Sequence, residues 1–204
     1  MAARRLSERS DLRRRTGGRS ERRRILVVTE GTKTEPSYLQ GLCAYLRQTG
    51  VRVCGVDVRG EGRDPERVVK KAALETGDGQ LVGGRDGFES VWCVFDVDEH
   101  RTLQTGIRAA ARHGFHTVVS NPCFEIWLLW HYEDCRRSID STELRRRLRR
   151  YGIDKAVPKD FLFARTTVAS GRAGNTTGVI PANPGTGMAA LVHHIMGDAP
   201  ARPR

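Results

Sequence analysis

Two apolar runs without a polar interruption, Ile25-Leu26-Val27-Val28 and Val91-Trp92-Cys93-Val94-Phe95, restrict this chain more than any other feature. A strand with one wet face alternates apolar and polar residues. A continuous run belongs to a strand covered on both faces, which is the situation of parallel sheets in α/β proteins. Between the runs the period changes from two to 3.6. Tyr38, Leu39, Leu42, Tyr45 and Leu46 recur at helical spacing, after Glu35-Pro36-Ser37 and before Gly50. Pro36 suits a first helical turn and Gly50 a helix end.

The same alternation continues. Val51, Val53 and Val56-Asp57-Val58 read as a second strand. Asp64-Pro65 reads as an N-cap and first helical residue, with Val68, Val69, Ala72 and Ala73 as the buried face. The spacing predicts a third strand over 91–95, a helix from Thr102 to His113, a fourth strand from Phe115 to Val119 and an apolar helix from Cys123 to Tyr132. Ser141 and Thr142 are candidate caps of a short basic helix ending at Arg150. Proline and glycine argue for loops over 152–185, and Thr186 to Met196 reads as a last helix. The expected fold is α/β and Rossmann-like: a parallel central sheet flanked by helices, with a C-terminal helical elaboration. The organisation expected is a disordered basic arm (1–23), one domain (24–196) and a flexible tail (197–204).

Acids cluster where such a sheet does chemistry. Glu30 ends the first strand, and Asp96 and Asp98 follow the third. Ligands of open α/β sheets bind outside the carboxyl ends of the strands. Asp-Val-Asp-Glu puts three acids in four residues, which repel one another unless a cation neutralises them. Mg²⁺ (or Mn²⁺) accepts one or two carboxylates together with water and substrate phosphate. Glu125, in the first turn of the apolar helix, is a further metal-ligand candidate, although an acid there also favours a helix start on its own. Lys33, His100 and Asn121 are candidate substrate contacts. Glu35 reads chiefly as a helix-start acid. A Walker loop is excluded, because only Gly31 precedes Lys33. A haloacid-dehalogenase site is disfavoured, because His100 stands where that motif has threonine.

The chain carries +11, unevenly placed: residues 1–24 hold ten arginines against Glu8, Asp11 and Glu21. A second basic stretch is Arg145-Arg146-Arg147-Leu148-Arg149-Arg150. Such a field attracts polyanions, so DNA or RNA is the expected partner, with Arg22, Arg23, Arg24, Arg145, Arg146 and Arg149 as candidate phosphate contacts. The five cysteines lack Cys-x-x-Cys spacing, which argues for reduced thiols rather than zinc or disulfides. No apolar stretch reaches membrane-spanning length and no apolar signal core follows the arm, so no membrane partner and a cytoplasmic location are expected.

Three segments together, Glu-Gly-Thr-Lys-Thr-Glu-Pro (30–36), Val-Phe-Asp-Val-Asp-Glu-His (94–100) and Ser-Asn-Pro-Cys-Phe-Glu-Ile-Trp-Leu-Leu (120–129), resemble the RloB family in order and spacing, over residues 24 to 196. That resemblance implies a Toprim-like domain, with Glu30, Asp96 and Asp98 as catalytic and metal-binding residues. It also implies a metal-dependent nuclease of an anti-phage defence system; for so small a nuclease a homo-oligomer or a partner protein of that system is a further option, which the sequence does not specify. The alternatives are a non-catalytic nucleic-acid-binding or partner-binding subunit, and a phosphohydrolase of small nucleotides. The basic stretch 145–150 and the segment 152–185 have no counterpart in the wider Toprim pattern.

Overall fold

The computed structural model describes residues 24–197, apart from 52, 54, 62–63, 79–86, 98–101, 155 and 175–177. The expected arm, with Arg22 and Arg23, lies outside the described residues, as do Asp98, His100 and the 198–204 tail.

Strand β1 (Arg24–Thr29) leads into α1 (Thr34–Gln48), β2 (Gly55–Gly60) and α2 (Pro65–Glu75). Then come β3 (Ser90–Asp96), α3 (Leu103–Arg112), β4 (His116–Asn121) and α4 (Glu125–Tyr132). Helices α5 (Ser141–Arg149) and α6 (Thr166–Ala173), strand β5 (Gly185–Thr186) and helix α7 (Met188–Ile195) complete the order. The sheet runs β2-β1-β3-β4-β5. Its first four strands are parallel, and β5 pairs antiparallel with Ser120 and Asn121. The fold is therefore the expected α/β, Rossmann-like one, with a mostly parallel sheet.

The uninterrupted runs have the predicted cause. Ile25, Val27, Trp92, Val94 and Val118 face a core built with α1, α4, α5, α6 and α7. Their neighbours Leu26, Val28, Val91, Cys93, Phe95 and Val119 face a second core with α2 and α3. Both faces of the central strands are thus dry, and successive side chains serve opposite layers.

Chain order sets one further property. From β1 the chain moves outward through α1 to β2; it then returns through α2, on the other face, to β3 on β1's opposite flank. Strand order reverses between β1 and β3. The helices that follow these two strands leave over opposite faces, so a crevice opens beyond their carboxyl ends.

Several expectations need correction. Residues 152–185 are not loop alone: they contain a 3₁₀ turn (Phe163–Arg165), α6 and the start of β5. A two-residue strand carries no periodicity from which to read it. The basic helix is capped by Asp140, whose carboxylate accepts the Glu143 N–H at 2.8 Å, rather than by Ser141 or Thr142. The 152–185 region is docked by side chains on main chain. Arg172 and Arg165 donate to the carbonyls of Trp130 and Tyr132, which end α4. Asn183 exchanges two hydrogen bonds with the backbone of Ile139.

Candidate functional site

Glu30 and Asp96 sit at the crevice. Glu30 follows β1 directly, and its own N–H donates to the Val94 carbonyl of β3. Its carboxylate Oε2 accepts the backbone N–H of Asp96 at 3.2 Å. Asp96 in turn accepts, through Oδ1, the N–H of Phe124 at 2.9 Å, at the entry to α4. Carboxylate-to-main-chain bonds therefore tie β1 to β3 and β3 to α4 at one end of the sheet.

Two more acids join them. Glu35 lies in the first turn of α1 but is buried, 5% exposed, and its Oε1 accepts the Gly31 N–H at 2.8 Å. A Cβ at Gly31 would overlap the Glu35 carboxylate, so a side chain there would displace that group from its present position. Burial pushes the Glu35 pKa up to about 7, and the neighbouring charges of Glu125 and Glu30 push in the same direction. Asp96 is held well above the usual carboxylate range, first by burial and then by the charges of Glu35, Glu125 and Glu30; the Phe124 N–H opposes this. Glu35 and Asp96 are thus raised by the same two causes, burial and the like charges beside them. Such mutual destabilisation of the charged forms is characteristic of functional sites.

The structure places Glu30 beside Asp96, with Glu125 and Glu35 near enough for their charges to act on Asp96; Asp98, the third member of the expected set, lies outside the described residues. Burial was the missing signal for Glu35: an acid at a helix start is usually solvated, and only the fold shows it turned towards Gly31. Among the described residues no group of three or more acidic, histidine or cysteine side chains is placed to hold a metal ion. The donor chemistry nevertheless fits a hard divalent cation, which needs one or two carboxylates and retains water.

The remaining candidates divide. Lys33 precedes α1 and is exposed, lining a groove on the outer side of that helix. Asn121 is half-buried, and its amide donates to the Pro181 carbonyl at 2.9 Å, joining β4 to the segment before β5. Arg24 begins β1, some 20 Å from Glu30 at the ~3.3 Å rise of a strand. It pairs with Asp57 at 2.8 Å and lies over the Phe88 ring. Arg24 therefore belongs to the opposite end of the sheet.

Arg145 and Arg149 are exposed on α5, but Arg146 forks onto Glu143 at 2.6 and 2.8 Å. Arg147 and Arg150 bind Glu133, so the 145–150 stretch is partly neutralised from within. Leu144 and Leu148 anchor that helix in the core.

Away from the acids, a buried polar network was not anticipated. His131 is fully buried; its Nδ1 lies 2.9 Å from the Trp127 carbonyl and its Nε2 3.3 Å from the Tyr38 hydroxyl. Desolvation lowers its pKa to about 4.

Among the described residues no helix is long and apolar enough to cross a membrane. No curated protein and no solved structure matches the chain. The model of the family described as RloB-like protein matches residues 25–195, which span β1 to α7 and include all four acids of the crevice. On that match, the chain belongs to the RloB-like family.

Proposed function

We propose that this protein is a metal-dependent hydrolase of nucleic-acid phosphodiester bonds, with a Toprim-like site formed at the β1–β3 crevice. The observation that supports this reading most is the carboxylate set at the strand-order reversal, with Glu30 and Glu35 buried and Asp96 and Glu125 half-buried, where Glu30 accepts the Asp96 N–H and Glu35 and Glu125 add charge to the same place. A binding subunit for polyanions has no use for four acids there, since they would repel phosphate. A divalent cation reverses the sign of that field.

Asp96 and Glu30, with Glu125 and the neighbouring Asp98, are the residues that would hold Mg²⁺ or Mn²⁺. The ion, when bound, supplies Lewis-acid polarisation of a phosphoryl oxygen and lowers the pKa of bound water. This chain's own contributions are positional and protonic. The Phe124 N–H fixes one oxygen of Asp96, leaving Oδ2 for a ligand. The Asp96 N–H fixes one oxygen of Glu30. Glu35, with a pKa near 7, can carry a proton at neutral pH and give it up, as a general acid–base group must. A cytoplasmic role in anti-phage defence is the part of the proposal that rests on family resemblance.

The test is incubation of labelled single- and double-stranded DNA and RNA with protein in Mg²⁺, Mn²⁺ or EDTA. Metal-dependent products that vanish in Glu30→Gln and Asp96→Asn support the reading. Cleavage at wild-type rate in either variant rejects it, as does the absence of products with every substrate and metal. Mononucleotides in the same assay separate a small-nucleotide phosphohydrolase from a nuclease.

A further inference from the structure

A groove of about 720 Å³ runs along the outer face of α1, between that helix and the segment 157–163. Lys33, Ser37, Gln40, Tyr45 and Gln48 line one wall, and Lys159 and Phe163 stand on the other. From Lys33 to Gln48 the helix advances about 22 Å at ~1.5 Å per residue. Its upper end is the turn that carries Glu30 and Glu35, so the groove leads away from the acid crevice.

Three observations bear on what would occupy it. The lining contains no acidic residue, although acids crowd the crevice beside it. Lys33 and Lys159 have no ion-pair partner among the described residues, in contrast to Arg146, Arg147 and Arg150. The aromatic element is built rather than incidental. Phe163 stacks on Tyr45 with ring centroids 6.1 Å apart at 25°, and it can lie against α1 because residue 41 is glycine: a Cβ there would stand 2.5 Å from the ring. Both rings are half-buried, held by the protein while still lining the groove.

Cations at intervals with an aromatic platform and amide side chains between them match the needs of an unpaired strand. Lysines track its phosphates, while rings accept any base by stacking. A duplex hides its base faces and gains nothing from the rings. We propose that this groove binds single-stranded nucleic acid, with Lys33 and Lys159 on the backbone and Tyr45, backed by Phe163, stacking a base, and so delivers an unpaired strand to the crevice. The inference deepens the phosphodiesterase reading by naming its substrate class, and its delivery role rests on that reading.

Binding is measured by fluorescence anisotropy in EDTA, where no metal-dependent cleavage occurs, with the full chain and labelled 12-mers of single-stranded DNA, single-stranded RNA and duplex DNA. The arginine-rich arm can attract any of the three probes, and the duplex most for its higher charge density, so the informative quantities are the preference for single strands and its change in the variants. Wild type should prefer them about five-fold or more, from one stacked base. Tyr45→Ala should abolish most of that preference with an unchanged salt dependence. Lys33→Ala/Lys159→Ala should make the log–log salt slope shallower by about 1.4, two phosphates at ~0.7 each. The lysines are exposed and Tyr45 is half-buried, and circular dichroism checks that the variants fold. Equal affinity for single strand and duplex in wild type overturns the proposal, as does unchanged binding in both variants. Groove variants that lose binding in a protein that never cleaves would leave the groove standing and remove the nuclease reading; cleavage unaffected by loss of the groove would do the reverse.

Discussion

The backbone N–H of Asp96 donates to the Glu30 carboxylate at 3.2 Å, so the acid ending one strand is aligned by the acid ending its neighbour. Neither can move without disturbing the other, and the Phe124 N–H fixes Asp96 from the far side.

Removing the charge at either position should separate activity from stability. Glu30→Gln and Asp96→Asn are each expected to lower metal-dependent cleavage by about 100-fold or more, since a lost ligand forfeits several kcal/mol of charge stabilisation. Both amides keep an oxygen for the main-chain bond. Because Asp96 is buried among like charges, Asp96→Asn should melt at a higher temperature than wild type in EDTA. A variant that is both inactive and less stable would indicate a structural role instead.

Glu35 provides a pH-dependent test. Its folded pKa of about 7 lies above the ordinary 4.5, so the folded state binds more protons between those values and stability falls as pH rises through that window. The full penalty, on the order of 3 kcal/mol, is present above pH 7. Glu35→Gln should therefore be more stable than wild type at pH 8 without metal and indistinguishable from it at pH 4. Denaturant unfolding at the two values measures this. A divalent cation should narrow the difference at pH 8.

His131 acts in the opposite sense. Its folded pKa of about 4 lies below the ordinary 6.5, so the unfolded chain binds more protons between the two, and stability is lost as pH falls through that range. In wild type this loss overlaps the gain from Glu35 and Asp96. In Glu35→Gln/Asp96→Asn it should emerge, together with that of His116, whose pKa burial also lowers, as a decline in unfolding free energy from pH 6.5 to 4; His131→Gln in that background isolates the His131 share. The His131 imidazole resonances should show no protonation above pH 5; titration near 6.5 would contradict the buried neutral form.

Gly60→Ala is expected to be costly at an exposed position. A Cβ on Gly60 would stand 2.6 Å from Cα of Thr32, so main chain must yield, and that main chain is the turn between Glu30 and Glu35. A loss of about 1–3 kcal/mol is expected, as for overpacking. Cleavage should fall further than stability does, and thermal melts beside activity assays decide it.

How far the fold could be read in advance depended on how much signal each segment carries. The runs at 25–28 and 91–95 announce strands dry on both faces, and the acids after them announce the crevice. Strand β2 was expected to begin at Val51 but spans Gly55–Gly60, because an edge strand with half-exposed residues lacks a continuous apolar run. Strand β5 has two residues and no period. Glu35 and His131 depended on packing: the same letters on a surface would be a helix-start acid and an ordinary imidazole. The groove was invisible because Tyr45 meets Phe163 only in three dimensions, across 118 positions of chain.

Strand β2 also bears on how copies of the molecule would meet at the edge of the sheet. It is the last strand on its side of the sheet, and its outer hydrogen-bonding groups could template another chain. Asp57 and Arg59, engaged by Arg24 and Glu75, alternate there with valines and put charge along the rim. Replacing both with valine would turn a guarded border into an adhesive one, and the first symptom would be self-association rather than unfolding.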